Sequence, residues 1–173
     1  MIRARLIAAA AGATLLIGCD DSTQPQDPVG ELVATVRAAT TEYQDFDVAV
    51  AVGFEQASPC VASPEGGMGF HYARADRVDA SVEPSEPEVL LYEPQTDGDM
   101  RLVGVEFLVL GDVWDAANDE PPALAGHPFD DHRPEELRHG LPFPHYELHV
   151  WAWVENTSGV MAPFNPAVAC PAD

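Results

Sequence analysis

The clearest hydrophobic and polar alternation in the chain runs over 145–154, His-Tyr-Glu-Leu-His-Val-Trp-Ala-Trp-Val. Period-two alternation of this kind predicts a strand with one face in a core. A second β signal lies over 88–110. Strand-like runs at 88–92 and 100–110, mostly apolar, flank Thr96-Asp97-Gly98-Asp99, and Asp-Gly at such a centre predicts a hairpin. Over 29–53 the period changes. Leu32, Val36, Ala39, Tyr43 and Phe46 recur at helical spacing, with Val33 and Thr40 beside them. Asp27-Pro28 is a fitting start, with Asp as N-cap and Pro at the first helical position. The β-branched pair Thr40-Thr41 is the weak point of this segment. Asp45 or Asp47 is placed to open a second short helix over 48–52, which ends at Gly53.

The remaining segments read less regularly. Residues 58–67 read as a loop, 68–72 as a short strand or turn, and 75–78 as one helical turn. The stretch 111–144 is rich in Pro, Asp and His without periodicity and reads as one long loop. Residues 160–164 are expected to pair back after a turn at 156–159. Helix first and antiparallel strands after it predict an α+β domain: an N-terminal helix or helix pair packed on a small antiparallel sheet. A helix cradled by a curved sheet, as in cystatin-like folds, is one candidate arrangement.

The N-terminus carries a different pattern. Arg3 and Arg5 precede an apolar run over 6–17, too short for the ~20 residues a bilayer span needs but of signal-peptide dimensions. The run ends in Leu16-Ile17-Gly18-Cys19, which resembles the bacterial lipobox, in which the Cys is diacylated and becomes the new N-terminus. Two acyl chains suffice for stable anchoring. The expected organisation is a signal peptide at 1–18, lipidated Cys19 with a polar, Pro-containing tether to 28, and one globular domain at 29–173. Asp20, directly after the Cys, resembles the enterobacterial signal for retention at the inner membrane. The expected location is therefore the bacterial cell envelope, lipid-anchored on the outside of the cytoplasmic membrane.

Charge narrows the partners. All eight basic residues are Arg, and two would leave with the signal peptide, so 29 acidic residues face 6 Arg and the mature charge is −23. Nucleic acid and anionic lipid both need a cationic face, which this balance argues against. The lipid anchor is the membrane contact expected, and the sequence names no protein partner. With Cys19 taken by lipid, Cys60 and Cys170 form an even pair in an oxidising compartment, which suggests a disulfide; two thiols on a metal is the alternative.

The densest candidate chemistry lies on the 145–154 strand. Every second side chain shares a face, so His145, Glu147, His149, Trp151 and Trp153 are expected on one side. Two imidazoles and a carboxylate suit a divalent transition metal such as Zn, Cu or Fe. However, His145 and His149 are about 13 Å apart along a regular strand at ~3.3 Å per residue, too far for one ion to hold both easily. A site would use Glu147 and one His with donors from elsewhere. His71 is one such donor. Glu106, a carboxylate between Val105 and Phe107 in an apolar strand, is the other, because it needs a partner if buried. His127, His132 and His139 sit in the long loop, where a solvated role is the simpler reading. Met68, His71 and Met161 would suit copper by softness, but their spacing matches no copper-chaperone pattern. No Gly-x-Ser-x-Gly elbow, P-loop, Rossmann fingerprint or haem motif is present.

Several segments together resemble a family of exported bacterial proteins without an established activity. They are 39–43, 51–54, Cys60 to Tyr72 with its core Gly66-Gly67-Met68-Gly69-Phe70-His71-Tyr72, 90–94, Leu102-Val103-Gly104-Val105-Glu106-Phe107, 126–129, and 145–151 through Asn165-Pro166-Ala167-Val168-Ala169-Cys170. The resemblance supports the domain limits and the pairing of Cys60 with Cys170; it implies no reaction. Three functional readings follow from the residues: an envelope-anchored domain that binds a metal ion or small ligand, a metal-dependent enzyme using the same groups, and a structural or protein-interaction domain in which His and Trp only pack.

Overall fold

The computed structural model describes residues 27–138 and 141–171; Cys19, its lipobox and His139 lie outside them. The chain opens with α1 (Pro28–Thr40), a single 3-10 turn (Thr41–Gln44) and α2 (Phe46–Ala51). Asp27 caps α1, its carboxylate accepting from Gly30 N at 2.9 Å, and Asp45 caps α2 by accepting from Asp47 N at 3.1 Å. The break falls at Thr40-Thr41, where each hydroxyl bonds back to the carbonyl four residues earlier. Such back-bonding weakens the helical ladder.

The strands follow as β1 (Glu55–Gln56), β2 (Val61–Ser63), β3 (Gly66–Ala73), β4 (Val89–Pro94), β5 (Met100–Leu110), β6 (Ala123–Leu124), β7 (His127–Pro128), β8 (Asp130–His132) and β9 (His145–Val150). A short α3 (Gly111–Asp115) follows β5. The main sheet is antiparallel in the order β1-β3-β4-β5-β9-β8, with β2 pairing to β3, and β6 and β7 form a separate two-stranded piece. The fold is α+β, with helices on one face of an antiparallel sheet. Among the described residues no helix is long and apolar enough to cross a membrane.

Four expectations need correction. Residues 58–67 are not a plain loop, since β2 and the start of β3 run through them. Glycine hides this strand because the backbone there is crowded. A side chain at Gly66 would collide with the Asn165 carbonyl, and one at Gly69 with that of Tyr92. The stretch 111–144 contributes α3 and the edge strand β8. The 145–154 strand ends at Val150, so Trp153 leaves the alternation and packs on the helix side, its indole N–H donating to Thr40 Oγ1 at 3.0 Å. Residues 160–164 form turns rather than a strand, with Trp151 N donating to the Val160 carbonyl at 2.9 Å.

The core beneath the helices joins Leu32 and Val36 of α1 with Tyr43, Ala49 and Phe54, and with Leu90, Tyr92, Val105, Phe107, Val109, Tyr146, Leu148 and Val150 of the sheet. The opposite face carries a smaller apolar cluster of Val89, Leu91, Val103, Leu108, Trp151 and Val168, flanked by Leu141 and Phe143. Cys60 and Cys170 form a disulfide with Cα atoms 5.7 Å apart. In the chain-entropy account, closing so long a loop is worth up to ~4.7 kcal/mol.

Candidate metal centre

Strand alternation places the polar groups. On β9, Tyr146, Leu148 and Val150 enter the helix-side core, so His145, Glu147 and His149 turn to the other face. On β5, Val105, Phe107 and Val109 do the same, so Glu106 turns with Leu108. The register sets Glu106 opposite His149 and Leu108 opposite Glu147, making Glu106 and Glu147 diagonal neighbours. β8 adds His132 opposite His145. His71 lies on β3, beyond β4, and its side chain reaches across that strand to Glu106.

Six donors thus gather as two sets, His71–Glu106–His149 and His132–His145–Glu147. Within each set one ligand atom per residue lies within 4.8 Å of the others. His71 Nε2 is 3.5 Å from Glu106 Oε2, His145 Nε2 is 3.3 Å from Glu147 Oε2, and His132 Nε2 is 3.4 Å from Glu147 Oε1. A tetrahedral site with bonds of ~2.0–2.1 Å has ligand–ligand edges of roughly 3.4 Å. The His71 and His149 rings stand perpendicular at 6.0 Å, and His149 stacks on Trp151.

Outer contacts orient three of the rings. The His145 Nδ1 position lies 3.0 Å from the Phe143 carbonyl, and that of His132 lies against the Leu137 carbonyl. A carbonyl only accepts, so Nδ1 carries the hydrogen in both. Ser58 Oγ donates to the Pro59 carbonyl and therefore accepts from His71 Nδ1 at 2.8 Å. In neutral imidazole each Nε2 is then a lone pair facing a carboxylate. Two acceptors at this distance need a proton or a cation between them, and an imidazole whose far N–H is held by an oxygen is the usual arrangement of a metal-bound histidine.

The two buried carboxyls are pushed in opposite directions. Burial, then the neighbouring Glu147 carboxylate and a hydrogen bond to it, raise the Glu106 carboxyl well above the usual range. Burial also pushes Glu147 upward. The hydrogen bond from His145, the charges of His149 and His132 and the hydrogen bond from Glu106 outweigh it and hold Glu147 low. Nearby, the buried Glu88 carboxylate accepts from Leu108 N at 3.0 Å, and burial raises it to about 7. The six described Arg residues are engaged elsewhere: Arg37 on the Ala152 carbonyl, Arg74 on Asp76, Arg77 on the Pro87 carbonyl, Arg101 on Glu93, Arg133 on Asp115 and Asp131, and Arg138 on the Arg133 carbonyl.

The structure therefore unites His71, Glu106 and His149, and separates His145 from His149 into different sets. Glu147 sits with His145 rather than with His71. His132, read as part of a solvated loop, is a full member of the second set. Its position is fixed by the next residue, since Arg133 clamps Asp131 and Asp115 and lies over the Tyr146 ring. The one sequence signal for it is the apolar-to-polar step Phe129-Asp130-Asp131-His132, with Phe129 buried. His127 lies exposed on β7, outside both sets.

Comparison with known proteins finds no match among protein families, curated proteins or solved structures.

Proposed function

We infer that this chain is a lipid-anchored envelope protein whose domain binds a divalent first-row transition metal ion, with His71, Glu106 and His149 as the primary ligands. The carrying observation is that two imidazoles and a buried carboxylate converge within 4.8 Å while every described Arg is engaged elsewhere. Zn, Cu and Fe all accept such a set. The burial favours an ion over an organic ligand. The Glu106 side chain is 5% exposed and that of His71 13%, and the donor atoms stand within 4.8 Å of one another, which suits a single ion better than a larger molecule. Three protein ligands leave a position for water, and the partly exposed His71 edge supplies solvent access. That edge supports the second reading, a metal-dependent enzyme using the same residues.

The test is metal content. The full chain is exported without a polyhistidine tag, and bound metals are measured by mass spectrometry beside a His71→Ala/His149→Ala double variant. Near-stoichiometric metal in the parent, lost in the variant, is the expected result. A parent chain that stays metal-free after incubation with Zn, Cu and Fe overturns the reading.

A further inference from the structure

We propose that the sheet face holds not one metal ion but two, the second on His132, His145 and Glu147, joined to the first through the carboxylates of Glu106 and Glu147. The inference rests on the metal-binding reading above and deepens it. Three observations carry it. The second set repeats the composition of the first, two imidazoles and one carboxylate, with Nε2-to-oxygen distances of 3.3 and 3.4 Å. Glu147 presents a different oxygen to each of its two histidines, Oε2 to His145 and Oε1 to His132, as a carboxylate embraced from two sides does. The two sets also adjoin: Glu106 and Glu147 are diagonal neighbours across β5 and β9, and both are buried.

The last contact is the informative one. Two buried carboxyl groups so placed must give up charge unless cations compensate them. A pair of divalent ions removes that need. It would let both carboxylates stay ionised beside the ions, which in two-metal sites lie about 3.5–4 Å apart. The six protein donors supply four nitrogens and two carboxylates, a charge of −2 against +4. The balance is left to solvent-derived hydroxide or an anionic ligand at the exposed edge, where the side chains of His71 and His132 are 13% and 14% accessible. His145, 0% accessible, closes the inner side.

The experiment is equilibrium dialysis of the full chain against Co(II), followed by low-temperature electron paramagnetic resonance of the loaded protein. Two ions per chain and a signal attenuated by exchange coupling are expected. His132→Ala and His71→Ala, both at the accessible edge, should each fall to one ion and recover the full signal of an isolated Co(II), with circular dichroism confirming the fold. One ion in the parent, with His132→Ala unchanged, overturns the second position and leaves the metal-binding reading standing. Two ions with an uncoupled signal overturn the carboxylate link. No bound Co(II) in the parent overturns both.

Discussion

On β9, Tyr146, Leu148 and Val150 pack under the helices, while His145, Glu147 and His149, interleaved with them, face the other way with nearly equal burial. Both faces of the sheet exclude water, yet one is filled by apolar side chains and the other by charge and imidazole. The helix face is ordinary core, where dispersion and desolvation act together. The donor face is buried against its own energetics, since ionised groups removed from water are costly even when paired. Polar groups held in this way, with outer contacts that fix three of the rings, do not add to stability as the helix face does.

The comparison can be broken most forcefully from the helix side. Phe107 is 1% exposed in the apolar core. Phe107→Ala is expected to destabilise by about 3–5 kcal/mol in urea unfolding while the metal content of the folded fraction is kept. Metal lost from still-folded protein would show that the faces are not separable.

A test nearly as large concerns Glu88, beside the donor face. Its folded pKa of about 7 stands above the unfolded 4.5. Between those values the native state holds more protons, so stability falls as pH rises through the window, by ~3 kcal/mol in all. The hydrogen bond from Leu108 N and the Arg77 charge oppose the shift, and the Asp79 charge reinforces it. Glu88→Gln keeps an acceptor for Leu108 N and should remove this part of the slope, measured as the urea midpoint against pH in chelator.

Glu106→Leu should act with the opposite sign to a core deletion. With chelator present, its Tm should equal or exceed that of the parent, by a gain of about 1–2 kcal/mol, because an apolar group replaces a poorly compensated buried carboxyl. Its metal content should collapse. A large loss of stability instead would make Glu106 a structural residue. The smallest effect is expected at Trp153→Phe, which removes the hydrogen bond to Thr40 Oγ1 at ~1 kcal/mol by thermal unfolding, with metal content unchanged.

Much of this was legible in the residues where local chemistry agrees with the final pairing. The Asp97-Gly98 turn specifies the β4–β5 hairpin, Asp45 specifies the start of α2, and the alternation from His145 to Val150 specifies which side chains share a face. The α+β layout and the Cys60–Cys170 bridge follow from the same level. Legibility fails where structure is imposed from outside the segment. β3 opens with glycines chosen for the backbones that press on them, so composition reads as loop. β8 is three polar residues that become a strand only because β9 offers an edge, and His132 is hidden with it. Trp153 departs from its predicted face because β9 ends at Val150, which the smooth alternation past that point conceals.

The bond between residues 60 and 170 divides the chain into a covalent ring and a tail. All six donors lie on the ring, whereas α1 and α2, which cover the apolar face, lie on the tail. An oxidised chain that loses its fold therefore keeps these His and Glu side chains confined within one closed contour. Reassembly of the donors is a search inside a bounded loop, and capping by the helices is a separate docking step.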